Sequence, residues 1–411
     1  MSAVRALALA LALALLGALA LRAGPARAEG MAETLPAGTF LLDEGLYLSN
    51  LTHMYDDDGH LRPLIDDIQR FEPGGGWQGT IIPDARVRYG LLVSQLQAGV
   101  TDSLSVGVGV PLVLWNTVRP SLRWVPGDYQ PSIGRAYTEE DFWGWAASMG
   151  QPKPGNWSGN EGTLADIVLG ARYRFSDHVA ALRRHEIAMA LTVAGALPTG
   201  SPPDPEEVVA AGTTSWDLHA QGELGAHLAI DKLFRRHLDG RLALSAEVFY
   251  EVFFEHEYTT PRGTKHPLLN DDAPYVGDTY TIDPGDFFGG SLQVEVAPLR
   301  GPSCPTWLVR HDPVRAAALP PMVSFWLRYT FVGLGQSDWE SDSAQWDWKH
   351  ERTWRPGYKN ILTGQLTLSL LRVGVPVQLY ARLRDLTLLR GRNSRAANVW
   401  AFGLQVPARF W

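Results

Sequence analysis

The chain is poor in the residues that staple a fold or carry common chemistry. It holds one cysteine, Cys304, in 411 residues. One thiol closes no intrachain disulfide and builds no thiolate zinc centre, so stability has to come from backbone hydrogen bonds and packing. Charge is sparse, at 19 % Asp, Glu, Lys and Arg, and leans acidic, with a formal net of −8. Nucleic acid needs a basic footprint, so it is excluded as a partner. Beyond the first two dozen residues, no apolar run reaches the ~20 residues that a spanning helix requires. Gly-x-Ser-x-Gly, His-Glu-x-x-His and the phosphate-binding loop are all missing. The chain therefore reads as no enzyme, with no cofactor and no metal. A hydrolase with a rim Ser–His pair stays open, because such pairs meet in space and not in sequence.

What is present begins with a leader. Residues 6–21 are almost wholly Ala and Leu, Arg5 precedes them, and Ala26-Arg27-Ala28 follows. This is a charged, apolar and small-x-small series that marks export, with cleavage expected after Ala28. Removing Arg5, Arg22 and Arg27, and no acid, takes the net charge from −8 to −11. An exported chain without a spanning helix is either soluble or a β-barrel. The composition has 41 Gly, 15 Trp and 13 Tyr, which suits strands, tight turns and interfacial girdles.

Period-2 alternation marks twelve strands, near 38–53, 81–99, 103–115, 164–176, 186–198, 213–230, 241–257, 286–297, 321–335, 361–371, 375–388 and 396–411. Between 103 and 115, Leu104, Val106, Val108, Val110, Leu112 and Leu114 share one face, opposite Ser105, Gly107, Gly109 and Pro111. Between 321 and 335, Val323, Phe325, Leu327, Tyr329 and Phe331 oppose Ser324, Trp326, Arg328 and Thr330. Parity slips near Ser94-Gln95, which predicts a bulge there.

The connections alternate. Thr101-Asp102, 177–185, 231–240, 298–320 and 372–374 are mostly short; 54–80, 116–163, 199–212, 258–285 and 336–360 are long, with a shorter last one at 389–395. An even strand count, short periplasmic turns and long extracellular loops define a closed antiparallel transmembrane β-barrel of all-β class. The expectation is one such barrel over residues 29–411, monomeric, in the outer membrane of a Gram-negative bacterium. Its partners would be membrane lipid, lipopolysaccharide and a small-molecule solute. The barrel-assembly machinery would read the last strand, which ends on Phe410-Trp411. A water-soluble sandwich remains open, since alternation alone does not say whether lipid or a second sheet covers the apolar face.

Four runs also carry a resemblance: LPAGTFLLDEGLYLSN, RYGLLVSQLQAGVTDSLSVGVGVPLVLWN, GTLADIVLGARYRFSD and ALTVAGALPTGSP, in that order. They resemble the "meta-pathway of phenol degradation"-like outer-membrane barrels and a related uncharacterised family. The matching features are the Thr101-Asp102 turn, Leu104 to Pro111, Gly162 to Phe175 and Leu197 to Gly200. Gly162-Thr163-Leu164-Ala165-Asp166 is one residue longer than the family's Gly-Leu-Gly-Asp. The resemblance covers residues 36–200 and implies an outer-membrane channel or transporter; it does not name a solute.

Candidate functional residues are those that the alternation turns inward, because a charge facing lipid costs roughly 2–4 kcal/mol. Glu247, Glu251 and Glu255 share one face of their strand, and Asp217, His219, Gln221, Glu223 and His227 share one face of the preceding strand. Arg172, Arg174, Arg328, Arg382 and Arg384 are the basic counterparts. An acid wall meeting a basic wall either fills the lumen with ion pairs or orients a solute in a pore. The outer loops hold Phe142, Trp143, Trp145 and Met149, then Trp339, Trp346, Trp348 and Trp354. They form either a hydrophobic vestibule or loop-on-loop packing. Asp56-Asp57-Asp58-Gly59 lacks the spacing of a calcium loop and reads as a solvated turn. The function expected is passive passage of small solutes, aromatic or hydrophobic ones among them. The alternative is a structural barrel whose lumen is filled by side chains.

Overall fold

A computed structural model describes residues 31–64, 67–72, 76–148, 153, 155–159, 161–200, 222–234, 242–259, 279–299, 320–341, 356–385 and 388–409. The leader, Cys304 and Phe410-Trp411 lie outside them. Twelve long antiparallel strands follow the chain: β1 (Thr39–Tyr55), β2 (Trp77–Thr101), β3 (Leu104–Pro126), β4 (Ile167–Tyr173), β5 (Ile187–Leu197), β6 (Glu223–Leu233), β7 (Leu242–Phe253), β8 (Phe287–Leu299), β9 (Val323–Leu334), β10 (Gly357–Ser369), β11 (Gln378–Asp385) and β12 (Ser394–Arg409). Each pairs with its neighbours in sequence, and β1 pairs with both β2 and β12. The seam runs from Thr39 opposite Arg409 to Tyr55 opposite Ser394. The sheet is thus closed, and its backbone donors and acceptors are used within the wall.

The faces decide between lipid and a second sheet. On β7 and β8, Leu244, Val248, Leu292 and Val294 point outward and no layer covers them: Val248 is 59 % and Leu292 63 % exposed. Phe325, Leu327, Leu366, Leu379, Trp400 and Phe402 continue this exposed apolar surface around the wall. A soluble protein rarely shows so large an apolar patch, whereas hydrocarbon covers it at no cost. The inward positions are polar and buried, among them Ser245, Ser291, Gln293, Glu295, Gln365 and Gln405. The barrel is apolar outside and polar inside.

Register departs from the expected bulge. The shifts between β2 and β3 fall between Gly90 and Leu91 and between Gly99 and Thr101, while Ser94 stays in register with Val110 and with Glu44 of β1. Ser94 breaks the apolar pattern for a different reason: its hydroxyl donates to the outward-facing Glu44 carboxylate at 2.7 Å. A polar pair on the lipid side imitates a slipped face in the sequence.

β2 and β3 are longer than the alternation suggests, reaching back to Trp77 and out to Pro126. A strand crosses a membrane in about 9–11 residues, so this hairpin stands well above the rim. Helix α1 (Glu139–Ser148) docks on it, burying Phe142 and Ala146 against Ile81, with Leu122, Trp124 and Trp143 around them. The Thr138 hydroxyl accepts the Asp141 N–H at 3.3 Å, and the Thr138 N–H donates to the Asp141 carboxylate at 2.8 Å. This reciprocal pair starts the helix. At the same end, a three-stranded sheet joins His256–Thr259, Thr279–Asp283 and Asp338–Ser341. A second helix, α2 (Ala180–Arg184), lies in the turn between β4 and β5.

Inside, a glycine pair positions an aromatic ring. Gly45 of β1 faces Gly403 of β12, which faces Tyr380 of β11. A methyl group at Gly403 or Gly45 would lie 2.5 or 2.7 Å from the Tyr380 hydroxyl oxygen. The ring therefore lies across both glycines, and its hydroxyl donates to Asp43 at 3.0 Å.

Two predictions follow from these contacts. Gly403→Ala displaces Tyr380 and breaks its bond to Asp43, lowering stability by about 1–3 kcal/mol; the shift from folded to unfolded migration on heating in detergent measures it. The Arg135 and Thr138 side chains hold the Asp141 carboxyl far below its ordinary value of 3.8. A depressed carboxyl contributes stability above its unfolded pKa and loses it as the pH falls through the folded one. The Trp143 and Trp145 fluorescence of docked α1 should stay constant from neutral pH down to about 3.8 and change only beneath it.

Candidate functional site

The lumen encloses a cavity of about 950 Å³. Its walls bring together Asp43, Glu247, Arg172, Arg328, Arg382 and Trp326 from five strands. Acid and base do meet across this space, but they are not equally committed.

The acid side is organised by His227. On β6 it faces Phe249 of β7, so the residues diagonal to it are Glu247 and Glu251. Its Nδ1 lies 3.4 Å from Glu247 and its Nε2 3.5 Å from Glu251. The imidazole stacks on the Phe249 ring with centroids 5.4 Å apart. Diagonal neighbours on one face of an antiparallel pair lie about 7–8 Å apart, within reach of a ring placed between them. Glu223 sits further along the same face of β6. Glu255 falls past the end of β7 at Phe253 and is exposed at the rim, not in the wall. Asp217 and His219 lie outside the described residues.

The basic side splits in two. Arg174 follows the last residue of β4; its guanidinium meets Asp177 at 2.9 Å and Glu33 at 2.9 Å. Arg172 donates to the Thr192 hydroxyl at 2.9 Å and to the Glu33 carbonyl at 3.2 Å. Both are occupied in fixing the segment before β1. Arg328, Arg382 and Arg384 stand on β9 and β11; Arg328 and Arg382 line the same cavity as that segment but donate to Gln293 and Gln365 instead of to it.

Whether residues 29–37 fold back as a plug is a question that the sequence leaves open. Residues 31–38 cross the short-turn end of the lumen. Ala32 is fully buried and packs with Met31 on Ala190 and Ala229. The Ala32 N–H donates to Asp231 at 2.8 Å, Leu35 N–H to the Ser105 hydroxyl at 2.8 Å, and Ala37 N–H to Asp102 at 3.0 Å. Asp231 carries the inward parity of Glu223 and His227 but lies one residue past the expected strand end at 230. Asp43, also inward, is hydrogen-bonded by Tyr380 and by Gln405 at 2.9 Å; the Asp43-Glu44 pair sends one carboxyl inward and one outward.

The aromatic loops are partly visible. Trp143 and Trp145 belong to α1, and their neighbour Phe142 is packed 5.8 Å from Trp124. The guanidinium of Arg70 lies 3.5 Å from the Trp145 ring centre. This is loop packing above the rim. Trp339 lies in the strand Asp338–Ser341; Trp346 and Trp348 are outside the described residues. Among the described residues no cluster suits a metal ion.

No protein-family model matches the chain, and no curated protein matches it. Solved structures do. An outer-membrane channel from Pseudomonas putida F1 aligns with TM-score 0.51 and 12 % identity over 93 % of this chain and 99 % of that one. The fold is that of an outer-membrane β-barrel. The translocator domain of the autotransporter NalP from Neisseria meningitidis aligns at TM-score 0.38 and 8 % identity, covering 92 % of this chain and 91 % of that one. The toluene transporter TbuX from Ralstonia pickettii aligns at TM-score 0.32 and 9 % identity, covering 92 % and 90 %. These two are too distant to carry an argument. The likeness reaches the barrel architecture and stops short of the phenol-pathway family.

The His227 bracket yields a prediction. His227→Ala leaves Glu247 and Glu251 without their shared partner and destabilises the barrel by about 1–3 kcal/mol. His227→Gln, which keeps a donor, should lose less. Denaturant titration of the two variants in detergent measures the difference.

Proposed function

We propose that this protein is a passive outer-membrane channel for small solutes, closed at its periplasmic end by its own N-terminal segment. The observation that carries the reading is the cavity of about 950 Å³, lined by charged and apolar side chains, behind a lipid-facing wall. A purely structural barrel gains nothing from keeping such a space, because filling it with packed side chains adds dispersion contacts. The long-loop end is then extracellular, and the tall β2–β3 hairpin with α1 forms its entrance. Cleavage after Ala28 would leave Glu29 as the first residue, a short way before the segment that crosses the mouth. Barrel-assembly machinery acting on the last strand and lipopolysaccharide around the loops belong to the same proposal, as does kinship with the phenol-pathway barrels.

The mechanism needs no energy source. Solute enters between the loops, meets the charged belt and leaves past residues 31–38. That segment is held by hydrogen bonds and by the Arg174–Glu33 ion pair and buries few apolar side chains. It resembles regions that open at low free energy.

In planar bilayers, removal of residues 31–37 should raise the single-channel conductance several-fold over the intact protein. Glu251→Gln should shift the reversal potential in a KCl gradient toward anions. Absence of conductance in both the intact and the truncated protein would leave the structural barrel as the better reading.

A further inference from the structure

Three luminal arginines feel the acids of the lumen at longer range, Arg328 from Glu247, Arg382 from Asp43 and Arg384 from Glu251, yet none closes an ion pair among the described residues. Arg328 faces Thr363 of β10, which faces Arg384 of β11; one row nearer the short-turn end, Trp326 faces Gln365, which faces Arg382. Arg382 and Arg384 are two residues apart on one strand face, roughly 7 Å, and Arg328 is two strands from Arg384, roughly 10 Å. The strand between them presents only Thr363 and Gln365 to this space.

Their hydrogen bonds orient the guanidiniums without neutralising them. Arg328 donates its Nε to Gln293 at 2.8 Å, and Arg382 donates its Nε to Gln365 at 2.7 Å. Both guanidiniums lean on Trp326, 5.0 and 5.5 Å from its ring centre. Neutral amides thus hold the inner edge of each fork, while the terminal Nη groups have no partner among the described residues. Arg384 shares the inward face of β11 with Arg382, is exposed, and makes no hydrogen bond or close ion pair among the described residues, with Tyr89 and Glu251 acting on it only at longer range. The nearby carboxylates close no ion pair with them: Asp43 is bonded by Tyr380 and Gln405, Glu247 and Glu251 bracket His227, and Glu295 is buried opposite Trp326 on the neighbouring strand. Among the described residues no carboxylate comes within 4.0 Å of any of the three guanidiniums.

We propose that Arg328, Arg382 and Arg384 form a binding site for the carboxylate of a small organic acid, so that the channel passes organic anions. The proposal rests on the channel reading for the passage and on the arginines for the binding. A planar carboxylate takes two parallel N–H donors from a guanidinium fork, which a point charge such as chloride does not exploit. Amide-held forks are preorganised, so little side-chain entropy is lost when the anion arrives. The opposite wall of acids keeps the site from trapping its ligand, as passage requires that binding be weak enough to release.

Benzoate, phosphate and neutral benzyl alcohol serve as probes of the intact protein. Calorimetric titration in detergent reads binding without conduction, and current block in planar bilayers reads passage. We expect benzoate to bind and to block current in a saturable way, phosphate to do so more weakly, and benzyl alcohol not at all. Arg384→Gln should raise the benzoate dissociation constant about tenfold, the equivalent of about 1.4 kcal/mol. Arg384→Lys, which keeps the charge and loses the fork, should weaken benzoate while leaving the chloride reversal potential unchanged. Heat-dependent gel migration checks that both variants are folded barrels. Equal block by benzoate and benzyl alcohol, equal binding of benzoate and phosphate, or wild-type affinity in Arg384→Gln would overturn the site. Conductance without benzoate binding leaves the channel and removes the site; benzoate binding without conductance keeps the site and removes the channel.

Discussion

Everything in this molecule depends on the antiparallel seam between β1 and β12. A strand edge left open in hydrocarbon would expose N–H and C=O groups with no partner, each costing several kcal/mol. Pairing Thr39 through Tyr55 with Arg409 through Ser394 removes both edges at once. Once the sheet is closed, its two faces cease to be equivalent. One meets lipid and the other a confined space, and every second residue is assigned to one or the other. The inversion of the usual globular arrangement follows: Val248 and Leu292 are exposed, while Gln293 and Glu295 beside them are buried.

Closure also explains the small residues. A wall that curves tightly around a polar interior has little room for rings, and Tyr380 fits because Gly45 and Gly403 offer bare backbone beneath it. The ring then carries its hydroxyl to Asp43, a carboxylate that also accepts from Gln405. Aromatic packing and a polar network are built from adjacent inward rows of the same three strands. The outward Glu44 shows the complementary case, in which Ser94 supplies a donor because lipid offers none.

Much of this was legible in sequence, for a physical reason. Alternation with period two reports which face a residue takes, so twelve strands, their order and the inward arginines could be read from residue type alone. What alternation does not report is what lies across the lumen or in front of it. The bracketing of His227 by Glu247 and Glu251 depends on register between strands, which a single strand's pattern leaves free. The segment at residues 31–38 has no period, being held by backbone N–H groups that any sequence possesses; its only signal was Asp231, inward and past the expected end of its strand. The outward extension of β3 was hidden by Pro120, a residue type that usually interrupts strands, whereas the expected β2 already ran through Pro83. Both prolines stand in the part of the hairpin above the rim, where Pro83 pairs with Leu122 and Pro120 with Ala85. The bulge expected near Ser94 failed because a lipid-side polar pair and a register slip produce the same break in pattern.

The charges inside the barrel divide by what they hold. Arg172 and Arg174 have partners in the N-terminal segment, so their positive charge is spent on closing one end. Glu247 and Glu251 share one imidazole, and Asp43 is bound by a phenol and an amide. What remains without a close ion pair among the described residues is Arg328, Arg382 and Arg384. A lumen built only to be filled would pair these with the acids across from them, since an unpaired charge away from bulk water is destabilising. Instead Gln293 and Gln365 fix two of them in place while leaving their charge intact. Neutral donors and acceptors that orient an ion without cancelling it are what a site for an incoming counter-ion requires, and that arrangement separates a selective passage from a plugged barrel.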